Sequence, residues 1–374
     1  MDDIEYYCSA PFVHIAIDNS GTDTYRPCCL WQGLSQAPAA SAMAAFASQD
    51  MADLRKHMLS GLPHQGCNIC HSHEAASGDS LRLGFNRQYG MVNTADLQDI
   101  EFNLGNLCNM RCRMCSSVSS SRWIADDEVL GRTSTKLTRR KLAQLGVDIK
   151  RLKKIKFIGG EITLEQDEVR HVLSSIANSC NGLNHLAVEI ITNGMLRLDD
   201  DIMQMLLSCR SVDMVLSLDG MSTANDYQRS EGNWAVITDT ARYYDGLRGA
   251  VFNPGIISTI SMLTIADAVD LMEWVTNQLP QTWHVANALA WPNELALRNL
   301  PDDYKTKMRD KLINWVPSVD KSRHDEIRGR LLQALDLDAN CDISQVQHHL
   351  STLDQLRGER LAAALPDLHS VIFQ

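Results

Sequence analysis

Three cysteines crowd into eight residues, Cys108-Asn-Met-Arg-Cys112-Arg-Met-Cys115. A chain that brings three thiols to one short loop must fold around whatever they bind. Structural zinc sites close with four ligands, and iron–sulfur clusters are usually held by four short-spaced cysteines. The next cysteine along is Cys180, too distant to belong to the same loop. A [4Fe–4S] cluster on three thiolates leaves one iron open, and an open iron can take a substrate or cofactor. The missing fourth ligand therefore points to chemistry rather than to a structural staple. A zinc site completed by a histidine is the rival, and it prefers CxxC pairs to CxxxCxxC.

The chain has 374 residues, 44% of them apolar, enough for a large core in two domains or one barrel with attachments. No apolar run reaches the roughly 18–20 residues a membrane span needs. The acidic start, Met1 to Glu5, lacks the basic and apolar regions of a secretory signal, so a cytosolic location is expected. Eight of the eleven cysteines fall within the first 115 residues, and clustering of that kind in a reducing compartment favours metal over disulfides. Net charge is −11, yet residues 132–156 carry ten Lys and Arg against Asp148 alone. That run is either a solvated helix face or a docking patch for an acidic partner, such as a flavodoxin or an acidic substrate. Nucleic acid is not favoured, because aromatic residues are not interleaved there.

From about residue 98 the pattern alternates. Strands are predicted at 100–104, 155–158, 186–192, 213–218, 256–263 and 283–290. Helices are predicted at 137–152, 165–179, 199–209, 234–246 and 267–278. Such alternation implies βαβ units and a parallel sheet, and right-handed crossovers would curl six units into a partial or full barrel. Polar motifs follow four of the strands: the cysteine loop, Gly159-Gly160-Glu161, Thr192-Asn193-Gly194 and Ser217-Leu-Asp219-Gly220. Carboxyl ends of strands are where such folds place ligands. After Pro292 the pattern turns helical, at 302–315, 323–335 and 343–364, which reads as a cap or packing layer. Cys180, Cys209 and Cys341 read as buried small hydrophobes. His284 and Asn287 on the last strand could reach a substrate, though a core histidine is the plainer reading.

The CxxxCxxC loop after a strand, with Gly-Gly-Glu161 after the next, resembles the signature of the radical S-adenosylmethionine superfamily. The resemblance covers residues 98–264. It implies a partial (β/α)6 barrel in which Cys108, Cys112 and Cys115 hold a [4Fe–4S] cluster whose fourth iron binds S-adenosylmethionine. One electron from such a cluster cleaves the sulfonium, giving methionine and a 5′-deoxyadenosyl radical that abstracts hydrogen from a substrate. The residue before the third cysteine is usually aromatic in that superfamily; here it is Met114, apolar and polarizable. By the same resemblance Gly159, Gly160, Glu161 and Asn193 belong to the cofactor site. The stretch from Ser217 through Arg229 to Trp234 looks like the SPASM/twitch branch, which assigns Ser217 and Arg229 to S-adenosylmethionine.

The N-terminal segment looks like the front half of a SPASM/twitch auxiliary-cluster module, placed before the barrel instead of after it. Cys8, Cys28 or Cys29, Cys67 and Cys70 would hold one further [4Fe–4S] cluster, or else zinc, with His71 and His73 as alternative ligands. Three regions are thus expected: a loop-rich module at 1–97, a barrel at 98–295 and a helical extension at 296–374. The expected activity is an oxidoreductase-type radical reaction on a peptide or protein, the auxiliary cluster accepting an electron and a flavodoxin or ferredoxin supplying one. Dehydrogenation or epimerisation of a small sugar or cyclitol is the alternative, and a non-catalytic iron–sulfur sensor the third reading. No residue is assigned as hydrogen donor or general base.

Overall fold

The computed structural model describes residues 4–17, 24–33, 40–319 and 321–373. Eight strands, β1 (His14–Ile17), β2 (Tyr25–Arg26), β3 (Asp99–Asn103), β4 (Lys154–Ile158), β5 (Ala187–Thr192), β6 (Ser211–Ser217), β7 (Phe252–Ile260) and β8 (Trp283–Ala288), form one α/β sheet in the order β2-β1-β3-β4-β5-β6-β7-β8. Strands β1, β3, β4 and β5 pair in parallel in that order, as β7 does with β8, and β2 joins β1 antiparallel. Strands β3 to β8 are the six expected from the sequence. Among the described residues no helix is long and apolar enough to cross a membrane.

The chain divides into two compact units. The first comprises Met1–Leu107, Leu137–Ile190 and Asp199–Val212. Its N-terminal part is more regular than a loop-rich reading allows. Helices α1 (Ala10–Val13), α2 (Ala42–Phe46), α3 (Gln49–Leu59), α4 (Asn68–Ser77) and α5 (Leu81–Tyr89) accompany the two added strands. Serine caps open three of them, Ser41, Ser48 and Ser80 each accepting a backbone N–H from the first turn. Helices α6 (Ile124–Val129), α7 (Gln166–Cys180) and α8 (Asp200–Leu207) follow along the chain, of which α7 and α8 belong to this unit.

Strand alternation decides what each sheet face carries. Ile100, Phe102, Ile155, Phe157, Val188 and Ile190 are fully buried on one face. On the other, the register sets Asp99 beside Lys154 and Glu101 beside Lys156 and Glu189. Lys156 reaches Glu101 at 3.2 Å and Glu189 at 3.3 Å, while Lys154 reaches Glu189 at 3.0 Å. His14 Nδ1 lies 3.0 Å from Asp99, which also accepts the Tyr89 hydroxyl. Burial alone would raise the Asp99 carboxyl, but His14, Lys154 and Tyr89 outweigh it and hold it below the ordinary range.

Residues 137–152 do not form the predicted helix. They hold only short 3₁₀ turns at Leu142–Gln144 and Ile149–Arg151. Thr138 and Arg139 are drawn to the end of β3 instead, where Thr138 N–H donates to the Asn106 side chain and Arg139 bridges Gly105. Gly146 then takes φ +61°, which breaks any helix. Six of the ten basic residues of the run are ion-paired: Arg132 with Asp127, Arg139 with Glu165, Lys141 with Glu168 and Arg151 with Asp96, besides Lys154 and Lys156. Lys150 and Lys153 are exposed beside Arg210 and His185 around a cavity of about 440 Å³.

The second unit comprises Cys108–Lys136, Ile191–Leu198 and Asp213–Gln374. It holds α6, α9 (Ser222–Gln228), α10 (Trp234–Asp245), α11 (Ala268–Gln278), α12 (Asp302–Asn314), α13 (Lys321–Leu335), α14 (Ile343–Arg357), α15 (Leu361–Ala364) and α16 (Pro366–Ile372). The single helix expected at 343–364 ends early because Gly358 adopts φ +65° and caps α14. Val346, Leu350 and Leu353 bury one face of α14, and His349 is buried with them.

Two outcomes follow. Gly105 has φ +125°, and a Cβ there would lie 1.9 Å from the Thr138 carbonyl oxygen. G105A should lose about 2–4 kcal/mol in urea unfolding, through overpacking and backbone strain together. Burial, with Arg132, Arg113 and Arg357 nearby, pushes His349 down to about 4, Glu294 opposing. An unfolded histidine takes its proton near pH 6.5, so the unfolded state binds more protons between about pH 6.5 and pH 4. Stability should therefore be full above that window and fall through it; H349F should flatten the thermal-midpoint profile there.

Candidate cluster and cofactor sites

In the first unit the Gly-Gly-Glu161 motif is fitted to the end of β3. Gly160 N–H donates to the Gly105 carbonyl and Glu161 N–H to the Leu107 carbonyl, each at 2.8 Å. A Cβ on Gly160 would lie 2.2 Å from the Leu107 oxygen, so only glycine permits this approach. Glu161 is buried, and its carboxylate accepts both the backbone N–H and the hydroxyl of Thr163, at 2.9 and 2.8 Å. Gly105 is the partner glycine that motif reading missed; its only sequence signal is its place one residue past a strand.

The N-terminal thiols occupy two surroundings. Loop residues 28–33 are docked on 64–67, with Gln32 N–H donating to the Gly66 carbonyl and Trp31 stacked on His64 at 4.9 Å. Arg82 joins the other segments: it forks onto Glu74 of α4 and donates to the carbonyls of Glu5 and Tyr7 beside Cys8. Burial, then the Cys67 and Cys70 thiols, push Cys8 up to about 12, with an Ala10 N–H and Arg82 opposing. Burial and Cys70 take Cys67 to about 11. Cys28 rises well above the ordinary thiol through burial, Cys29, Cys8 and Cys70. Cys29, exposed at the surface, is raised by desolvation and then by Glu101 and Glu189, with Lys156 opposing. Thiols are a donor set that a cationic metal core binds as thiolates. His71 packs edge-on against Tyr6 at 5.1 Å.

In the second unit the loop that carries Cys108, Cys112 and Cys115 has no regular structure of its own. Neighbours shape it. Arg111 and Arg113 N–H groups donate to the carbonyls of Ser230 and Gln228, at 3.0 and 2.6 Å. The fully buried Trp123 donates its indole N–H to the Cys112 carbonyl at 2.9 Å, and Ser120 its hydroxyl to the Met110 carbonyl at 2.6 Å. Asn193 donates to the Asn109 side chain at 2.8 Å, which links the Thr-Asn-Gly motif to the same loop. Ser217 ends β6 half-buried. On β8, His284 is buried against the Ser258 hydroxyl at 2.8 Å, as a core histidine would be, and Asn287 is exposed and accepts from Arg330.

Arg229 is buried, 3.9 Å from the Cys112 sulfur and 2.7 Å from Asp219. Asp219 is more than a turn residue: it is fully buried, accepts the Thr259 N–H at 2.7 Å and holds the guanidinium in place. A hydrogen bond with Cys115, and then Arg229, hold Cys112 below an ordinary thiol against the effect of burial, while Cys115 rises well above one. Three thiols on one loop, one of them beside a buried guanidinium, suit an iron–sulfur cluster. Among the described residues no three His, Cys, Asp or Glu side chains are grouped to hold a single metal ion; thiolates of a four-iron cluster bind one iron each and need not converge on a point.

Removing the acid should expose how much the buried pair matters. D219N keeps the acceptor for Thr259 but strands the Arg229 charge, and the metal-free protein should lose about 3–5 kcal/mol in a urea titration.

No family model matches the chain, and no curated protein matches it in sequence. Among solved structures it is similar to native anSMEcpe with bound AdoMet, at 17% identity and TM-score 0.41 over 58% of this chain and 60% of that one. Streptococcus suis SuiB bound to S-adenosylmethionine aligns at 12% identity and TM-score 0.33, over 58% and 44%. SuiB bound to the precursor peptide SuiA aligns at 10% and 0.36, over 76% and 54%. The chain thus spans about 60% of the length of anSMEcpe. The three-thiol loop follows β3 and Gly-Gly-Glu161 follows β4, in the order expected from the sequence.

Proposed function

We propose that the chain is a radical S-adenosylmethionine enzyme that abstracts hydrogen from a peptide or protein substrate. The observation that carries this reading is the loop of Cys108, Cys112 and Cys115 set against the buried Arg229–Asp219 pair. Those three thiols would hold the [4Fe–4S] cluster that, when bound, supplies the electron to cleave S-adenosylmethionine to a 5′-deoxyadenosyl radical. Gly159, Gly160, Glu161, Asn193, Ser217 and Arg229 would bind and orient the cofactor. Cys8, Cys28, Cys67 and Cys70 would hold a second [4Fe–4S] cluster as electron acceptor, with Cys29 outside the ligand set. Flavodoxin or ferredoxin would be the donor.

The peptide reading draws on the SPASM/twitch resemblance and not on an open basic face, since most of the 132–156 charges are paired. A second reading, oxidation or epimerisation of a small sugar or cyclitol, is favoured by the polar sheet face of Glu101, Lys154, Lys156 and Glu189. Hydroxyl groups could exchange hydrogen bonds with both charge types there.

Anaerobic reconstitution separates these claims. The wild-type protein should hold about eight irons per chain as two four-iron clusters and, with dithionite, convert S-adenosylmethionine to 5′-deoxyadenosine. Replacing Cys108, Cys112 and Cys115 together by alanine should halve the iron and abolish 5′-deoxyadenosine. C28S should also halve the iron, while C29S keeps it all. Iron that is unchanged in the triple variant sinks the proposal; loss in C29S but not C28S reverses the ligand assignment. Deuterium passing from a labelled polyol, and not from a peptide, into 5′-deoxyadenosine would establish the second reading.

A further inference from the structure

The segment 354–359, in the helical extension, lies more than 230 residues past the cysteine loop in sequence yet is bonded directly to it. Arg357, with a fully buried side chain, donates from Nη1 to the Arg111 carbonyl at 2.8 Å, inside the loop, and to the Ser230 hydroxyl at 2.9 Å. Its other two nitrogens grip Asp126 at 2.9 and 3.1 Å. The guanidinium also lies 4.5 Å over the Trp123 ring, the ring whose N–H holds the Cys112 carbonyl. Arg113, between Cys112 and Cys115, points the opposite way. Its Nη2 meets Asp354 and Glu359, each at 2.5 Å, and its guanidinium stacks 3.7 Å from the Tyr227 ring. Tyr227 donates to Asp354 at 2.7 Å, and Ser230 to Glu359 at 3.1 Å.

We propose that 354–359 is a clasp that fixes the cysteine loop, and that Arg357 and Arg113 are positioning residues for the cluster held by Cys108, Cys112 and Cys115. The inference rests on the cluster reading above. A packing layer would need only apolar contact; here buried charges are committed from both sides, and each is matched. One planar guanidinium reaches the loop carbonyl, a hydroxyl and a carboxylate at once, which an ammonium on a single tip cannot do. Partners that orient metal ligands from outside commonly affect metal affinity 10–100-fold when lost. The consequence is that loading and electronic state of the loop cluster depend on the C-terminal extension, although no ligand lies there.

The test uses the reconstituted full-length protein, with iron release to a chelator followed by absorbance and the reduced cluster followed by electron paramagnetic resonance. R357M should release the loop's share of iron about 10–100-fold faster, leave the share held by the N-terminal thiols at its wild-type rate and shift the spectrum of the reduced loop cluster. R357K should fall between R357M and wild type. Wild-type release and an unchanged spectrum in both variants would overturn the clasp. If R357M fails to fold, R357K and the double variant D354N/E359Q carry the same readouts, and wild-type behaviour in both overturns it equally. The cluster reading fails separately: in that case the triple alanine variant of Cys108, Cys112 and Cys115 retains all the iron of the wild type.

Discussion

A loop that must aim three thiols in one direction has no hydrogen-bond ladder to hold it, so its shape has to be imposed from outside. Here buried guanidinium groups impose it. Arg113 and Arg229 have almost no exposed surface, and burying such charges is costly unless each is matched and its hydrogen bonds are filled. Each is matched: Arg113 by Asp354 and Glu359, Arg229 by Asp219. The cost of stranding any one of these charges is what makes the arrangement specific, because alternative loop conformations would leave an arginine without its acid. Apolar packing alone could slide; buried ion pairs between fixed elements cannot without stranding a charge.

The second constraint is backbone approach. The Gly-Gly-Glu161 turn and the residues after β3 exchange hydrogen bonds at distances that leave no room for a Cβ at Gly105 or Gly160. Side chains are excluded where the strand ends meet, so the polar groups there are backbone carbonyls and amides already turned toward one another. Glu161 then starts the next turn as its cap, with Thr163 holding the carboxylate. The carboxylate is thereby fixed, and on the proposed reading a fixed group would lose little freedom when it binds the cofactor.

Much of this was legible from residue pattern, and what was not has identifiable causes. The six strands β3 to β8 lie where the apolar runs of the sequence put them, and the ends of four of them, β3 to β6, coincide with the motifs singled out there. Local pattern misread 137–152, because its leucines and basic residues look helical while Thr138 and Arg139 are captured by a distant strand end. Tertiary pairing overrode propensity there. The same pairing explains why a run of ten positive charges does not make an open basic face: Lys154 and Lys156 alternate inward on β4 toward Glu101 and Glu189. Arg357 was out of reach of any local reading, since α14 shows only an ordinary amphipathic face and its partners lie more than 120 residues away. Trp123 and Asp126 carry no motif; their importance comes from what they touch.

Adjacent cysteines pose a related problem in miniature. Cys28 and Cys29 are indistinguishable in a list of spacings, yet consecutive side chains leave an extended or turning backbone in different directions. Desolvation raises both thiols; beyond it Cys28 is raised by Cys29, Cys8 and Cys70, and Cys29 by the carboxylates of Glu101 and Glu189. On the proposed reading the two thiol groups of the chain differ in kind. Four thiolates around four irons leave no coordination position free, which suits passing an electron and little else. Three would leave one iron open, and beside that group stands Arg229, a cation close to a thiol sulfur and already balanced by Asp219. The number of thiols, and not the metal itself, is what separates an electron relay from a site where a substrate or cofactor can be bound and cleaved.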